Sequence, residues 1–295
     1  MTSPPETSSA RDATILVVSP HLDDAVLSAG ATIAASVDAG TRVVVCTVFA
    51  AQPAGTLSPV AEEFHRSCGL PPDAAAVRRG EDARAVRTLG AQYRHLDFAD
   101  AVYRRVGDRW LCRHGQAMFD ADPRAERDLG ERLVGDLTRL TAALAPCQVW
   151  TCAGYGGHVD HLITRAAAVR VAAGLTTAGA PVALLLWEDL PYGIWEPVAA
   201  VADRSPALPP VGVHHLARKF AAIACYRSQL GMLWPDGGWR RDLLRHARRR
   251  WPGAELLWTA DGGADEHPAV PDPPPVAGLR RPVPDQTQRR WLNAR

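Results

Sequence analysis

The stretch Ile15-Leu16-Val17-Val18-Ser19-Pro20-His21-Leu22-Asp23-Asp24 runs from an apolar tetrapeptide into a turn bearing one histidine and two carboxylates, and an alanine-rich segment follows it. Four apolar residues in a row ahead of a turn predict a short strand buried on both faces. Ligands of open α/β sheets collect outside the carboxyl ends of the strands, so this turn sets His21, Asp23 and Asp24 where chemistry is usually found. No G-x-G-x-x-G or G-x-x-x-x-G-K-[ST] loop stands there to cradle a phosphate. A histidine, an aspartate three positions on and a second aspartate between them suit a divalent metal with a base better than a nucleotide. The competing reading is structural: Asp23 or Asp24 caps the next helix and His21 is a satisfied turn residue. A further ligand elsewhere in the chain has to decide between them.

Working outward, residues 15–19 are expected as a strand, 25–39 as a helix closed by Gly40 and 42–49 as a second strand, the spacing of a right-handed parallel crossover. Residues 50–72 are rich in Pro, Gly and Ser around one short amphipathic stretch, and read as a long excursion over the sheet. A helix over 77–89 leads to a strand near 93–98, and 101–119 reads as a second loop or small hairpin carrying Tyr103, Trp110 and several arginines. A helix over 126–144, a strand over 148–152, the turn Ala153-Gly154-Tyr155-Gly156-Gly157, another alanine-rich helix and a strand over 182–187 follow. Alternation of this kind predicts an α/β fold: a Rossmann-like doubly wound sheet of about five parallel strands, helices on both faces and long loops over its carboxyl edge. Beyond Pro191 we expect a helix over 215–230, an arginine-rich helix over 240–250 whose Arg248-Arg249-Arg250 run is a solvated face, and a strand over 255–259. The expected organisation is a polar tail at 1–12, one domain at 13–260 and a Pro/Gly-rich tail at 261–295.

Hydrophobic residues make up 47% of the 295, ample for a core, and 33 basic against 32 acidic side chains leave no net pull toward nucleic acid or an anionic membrane. The six cysteines form no C-x-x-C pair and several lie inside strand-like runs, which points to reduced thiols rather than a disulfide frame or a cysteine zinc site. Residues 1–12 lack the basic start and apolar core of a signal peptide, and no apolar run approaches the ~18 residues of a membrane span. A soluble, cytoplasmic protein is expected.

The second glycine-rich turn supplies the further ligand. His158 and His161 are three residues apart at a helix start that also follows a strand, so both point the same way. An H-x-x-H alone is usually helix surface; paired with H-x-x-D in the equivalent topological place it favours a metal. Residues 19–28 together with Gly157-His158-Val159-Asp160-His161 resemble the LmbE-like or PIG-L superfamily of zinc-dependent de-N-acetylases, whose signatures read approximately H-P-D-D-E and H-P-D-H. The likeness extends over residues 14–230 and takes in Arg78-Arg79-Gly80-Glu81, Leu89-Gly90 and Tyr226-Arg227-Ser228-Gln229. The long loop and residues 98–111 are further similar to the glycopeptide-antibiotic deacetylases, which remove an acetyl group from a glucosamine on a peptide core.

Carried over by position, the resemblance implies one Zn²⁺ per chain bound by His21, Asp24 and His161. It also implies Asp23 as general base, a protonated His158 as acid or oxyanion stabiliser, and Arg78 holding substrate. Two imidazoles and one carboxylate leave the ion net positive, with positions open for water and an amide carbonyl. The implied substrate is the N-acetyl or N-acyl amide of an amino sugar on a small glycoconjugate or secondary metabolite. The alternatives are a thiol-conjugate amidase of the same superfamily and a non-catalytic Rossmann-like binding module, for which Asp23 would be a needless base. Leu22 and Val159 replace the prolines of the two signatures, and Ala25 replaces the acidic residue after the aspartate pair. Structural roles compete for the remaining residues. Arg78 can pair with Glu81 or Asp82, Tyr226 and Gln229 can pack on the sheet, and Trp187, Trp195 and Trp234 can be core rather than a ligand platform.

Overall fold

β1 (Thr14–Ser19) is buried at every residue and sits in the middle of a six-stranded sheet, where four apolar residues in succession are what burial on both faces demands. The computed structural model describes residues 13–71, 73–195, 208–249 and 255–260; the tails expected at 1–12 and 261–295 lie outside the described residues. In chain order, β1 is followed by α1 (Asp24–Asp38), β2 (Arg42–Thr47), α2 (Pro59–Ser67), α3 (Ala74–Thr88) and β3 (Gln92–His95). A small antiparallel hairpin, β4 (Arg105–Val106) and β5 (Arg109–Trp110), then precedes α4 (Ala117–Asp120), α5 (Arg127–Leu144), β6 (Gln148–Cys152), α6 (Val159–Thr177) and β7 (Ala183–Trp187). The remaining elements are α7 (Tyr192–Trp195), α8 (Val213–Ile223), α9 (Arg227–Leu233), α10 (Trp239–Arg249) and β8 (Leu257–Thr259).

The sheet order is β3-β2-β1-β6-β7-β8, with β1 pairing in parallel to β2 on one side and to β6 on the other. The chain winds outward from β1 to β3, then returns to lay β6 against β1. The crevice between the carboxyl ends of β1 and β6 is therefore the topological switch point, the usual seat of a ligand in such sheets. Alternation along β1 feeds two cores. Ile15 and Val17 join Ala29 and Ile33 of α1 and Ala222 and Ile223 of α8, while Leu16 and Val18 join Val60 and Phe64 of α2, Leu133 and Leu137 of α5 and Ile163 of α6.

Five parallel strands match the expectation, and β8 adds an antiparallel edge strand against β7. The single helix expected over 215–230 is instead two, α8 and α9. At the break Tyr226 reaches across to donate its hydroxyl to Asp82 Oδ1 at 2.7 Å, and Ser228 bonds Glu81 through its backbone N–H (3.1 Å) and its hydroxyl (2.6 Å). Those anchors on α3 hold the chain off a continuous helical path. Of the arginine run, Arg248 and Arg249 are exposed, as a solvated face requires, and Arg250 lies outside the described residues. Cys46, Cys68, Cys112 and Cys152 are buried, and all six thiols are free. Among the described residues no helix is long and apolar enough to cross a membrane.

Candidate metal centre

The turn after β1 does not spend its carboxylates on capping. Ser19 does that work: its hydroxyl oxygen accepts the Ala25 N–H at 3.1 Å, and the Asp23 side chain, at the N-cap position, makes no capping bond. Asp24 Oδ2 accepts the His21 N–H at 2.8 Å, which folds the turn back on itself and stands the imidazole over the carboxylate. His161, on the first turn of α6 after β6, closes the group. His21 Nδ1 lies 3.2 Å and His161 Nε2 3.3 Å from Asp24 Oδ2, and the three residues each bring a ligand atom within 4.8 Å of the others. Bonds of about 2.0–2.1 Å in tetrahedral array separate neighbouring ligand atoms by about 3.3–3.4 Å, so this donor set fits zinc.

Each imidazole is turned toward the cluster by a carboxylate behind it. His21 Nε2 lies 3.0 Å from Asp160 Oδ2, and His161 Nδ1 lies 2.7 Å from Asp189 Oδ1. Such partners fix the ring orientation and make the other nitrogen a better metal donor. Asp189 is itself held by the Gly154 and Tyr155 N–H groups at 2.8 and 3.0 Å. Neither aspartate was singled out from sequence, although Asp160 lies inside the second motif. Asp189 follows β7 at the same carboxyl edge, and the strand-end rule that located the other two turns would have found it.

Electrostatics follow from burial and crowding. Burial disfavours the charged His21 ring, yet Asp100, Asp160 and Asp24 raise it well above its ordinary value. Burial is likewise overcome at His161, which Asp24 and Asp189 lift to about 9. Asp24, against the effect of burial, is held well below the usual carboxylate range by the two histidines. A field that draws positive charge onto both rings is one that a dication answers. Asp23 goes the other way: burial first, then the neighbouring Asp24, push it up to about 7, against the pull of Arg78 and His21. That is a value suited to taking and releasing a proton near neutrality.

His158 departs from expectation. It is the N-cap of α6, its Nδ1 accepting the Asp160 N–H at 3.2 Å, so the neutral ring carries its proton on Nε2. Burial, then the nearby His21, push it down to about 3, so it is a neutral hydrogen-bond donor rather than the imidazolium expected from the resemblance. Its ring stands edge-on to His21 at 4.8 Å and to Phe119 at 5.4 Å.

Arg78 is 5% exposed and does not pair with Glu81 or Asp82, which are taken by Ser228 and Tyr226. Its Nη1 lies 3.4 Å from Asp100 Oδ2, its guanidinium sits over the Phe64 ring, and among the described residues its Nε has no hydrogen-bond partner. It lines a small cavity beside the cluster with Leu22, Phe49, Asp100 and Tyr103. His65 Nε2 and the Tyr103 hydroxyl, 2.8 Å apart, tie the two long loops together above it. The tryptophans form no common platform: Trp187 and Trp234 are core, and only Trp195, 40% exposed, stands at the surface, edge-on to Tyr192.

Tyr192 packs its ring against His161 and Phe119, and it can do so because residue 156 has no side chain. Gly156 has φ +85°, and a Cβ there would sit 2.6 Å from Tyr192 Cδ1. Gly156→Ala is therefore expected to lose about 2–4 kcal/mol of stability from left-handed strain and overpacking together. A urea midpoint unchanged from wild type would contradict this.

The family profile described as "PIG-L: GlcNAc-PI de-N-acetylase" matches residues 16–172, which include both turns. The 2'-N-acetylparomamine deacetylase of Streptomyces fradiae is 32% identical over 290 residues, 95% of this chain and 89% of that protein. Among solved structures, the zinc-inhibited form of teicoplanin deacetylase Orf2 is 33% identical with a TM-score of 0.75, over 86% of this chain and 100% of that one. The A40926 pseudoaglycone deacetylase Dbv21 is 36% identical with a TM-score of 0.69, over 85% of this chain and 98% of that one.

Proposed function

Because the chain belongs to the PIG-L family of de-N-acetylases, we propose that it hydrolyses the N-acetyl amide of an N-acetylglucosaminyl group on a small glycoconjugate of antibiotic biosynthesis, releasing acetate and the free amine. The observation that carries this reading is the convergence of His21 Nδ1, Asp24 Oδ2 and His161 Nε2 beside the buried carboxyl group of Asp23. We place the enzyme in the cytoplasm, with residues 13–260 as its one domain and one zinc per chain held by those three residues.

Bound there, zinc supplies a Lewis acid for the amide carbonyl and lowers the pKa of water to about 7. Asp23 takes the proton from the attacking water and delivers it to the sugar nitrogen as the C–N bond breaks, a role that needs a group able to be both base and acid at working pH. His158 donates from Nε2 toward the carbonyl oxygen as negative charge develops on it. A neutral imidazole fixed by a backbone N–H suits that task without losing its proton. Arg78, lining the cavity beside Asp100, holds substrate there and steadies the ring for attack.

The direct test is stoichiometric: the zinc-loaded protein with an N-acetylglucosaminyl glycoside is expected to give one acetate per free amine, and a chelator to stop the reaction. Release of a different acyl fragment, or chelator-insensitive turnover, would sink the proposal. The two loops tied by His65 and Tyr103 flank the site, where residues on them would give remote contacts that align a larger substrate. An N-acetylglucosaminyl group on a bulky apolar aglycone is therefore expected to show kcat/KM at least ~10² above that of free N-acetylglucosamine. Equal values for the pair would show that the loops do not recognise the aglycone.

A further inference from the structure

The loop between β3 and α5 does more than wall the site. Arg104, only 7% exposed, stands behind the cluster with its Nη1 2.6 Å from Asp160 Oδ1. The other edge of its guanidinium is clamped by Glu126, Nε to Oε1 and Nη2 to Oε2, each at 2.7 Å, and Nη1 also donates to the Ala99 carbonyl at 2.9 Å. The second oxygen of Asp160 accepts the Ala101 N–H at 2.9 Å and faces His21 Nε2 at 3.0 Å. Glu126, Arg104, Asp160 and His21 thus form one buried chain of ion pairs and close polar contacts that ends on the ring whose Nδ1 faces Asp24. The guanidinium also lies over Phe49, whose ring abuts His21 at 5.9 Å.

Asp160 is wholly buried, and a carboxylate there stays ionised and in place only if opposite charge and hydrogen bonds answer it. Arg104 is the one permanent cation paired with it among the described residues, and its planar fork, fixed by two bonds to Glu126, sets its charge against Asp160 Oδ1 in an ion pair rather than a hydrogen bond. We infer that Arg104 is a positioning residue for His21, acting through Asp160: it fixes the carboxylate that aims the imidazole at the metal cluster. The inference rests on the reading of His21 as a metal ligand and adds to it a residue 83 positions away, on a different loop.

Arg104→Met keeps the apolar stem and removes the fork. Zinc affinity, read by competition with a chromophoric chelator, is expected to fall ~10–100-fold, with KM at saturating zinc within about twofold of wild type. Arg104→Lys is expected to recover part of that loss. Crystals of the metal-free Arg104→Met protein are expected to show Asp160 withdrawn from His21 Nε2. That readout stands even if wild type binds no zinc at this place, a result that would count against the metal reading alone. Should Arg104→Met fail to fold, Glu126→Gln, which weakens the clamp and keeps its shape, is expected to lower zinc affinity in the same direction by a smaller factor. Unchanged zinc affinity with the Asp160–His21 contact intact, whatever the loss of thermal stability, would show that Arg104 only braces the loop and would overturn the inference.

Discussion

His161→Ala and Asp24→Ala are each expected to purify with less than about a tenth of the wild-type zinc and to lose activity by at least the ~10²–10⁴ that follows loss of a key catalytic group. Three protein atoms converge in this site, and removing either of these residues leaves two, too few to hold the ion against a chelator. The fold has reason to survive the first change. Asp189, deprived of His161 at Oδ1, keeps the Gly154 and Tyr155 N–H groups at Oδ2, so the buried carboxylate stays partly satisfied. Elemental analysis alongside circular dichroism reads both quantities. Full zinc occupancy in both folded variants would mean that the ion is held elsewhere.

Asp23→Asn is expected to separate proton transfer from metal binding. The amide has the shape of the carboxylate and leaves His21, Asp24 and His161 untouched, so zinc content stays at the wild-type level while kcat falls by ~10²–10⁴. The same change carries a thermodynamic signature in the metal-free protein. Burial and Asp24 push the Asp23 carboxyl up to about 7, whereas in the unfolded chain it titrates near its ordinary value of about 4. A carboxyl raised on folding costs stability that is absent below the unfolded value and complete above the folded one. The asparagine protein is therefore expected to gain on wild type as pH rises from about 4 to about 7 and to hold that gain above it. A zinc-replete Asp23→Asn enzyme with wild-type kcat would remove the base from the mechanism.

What could be read from the chain, and what could not, divides along contact range. β1 was legible because a strand buried on both faces carries a run of apolar residues, and the two turns because a sheet gathers its functional groups at one edge. The ends of α1 and α3 fall within a few residues of expectation, since glycines and cap residues act locally. Asp189 lies at a strand end where the same edge rule points, whereas Arg104 was not legible, because its part depends on Asp160, a partner 56 residues away that only the folded sheet brings near. The break between α8 and α9 has the same origin: nothing in residues 213–233 forbids one helix, and it is Glu81 and Asp82 on α3 that draw Tyr226 and Ser228 out of it. The surroundings of His158 were hidden for a related reason. A histidine in a motif looks like an acid until its burial, its place at a helix N-terminus and the nearby His21 are known.

Diffraction at the zinc absorption edge from crystals of the zinc-loaded protein tests the account most directly. It is expected to give one strong anomalous peak at about 2.0–2.2 Å from His21 Nδ1, an Asp24 carboxylate oxygen and His161 Nε2. An empty cluster there, with the peak instead on another donor group such as Asp38, His214 and His215, would contradict it.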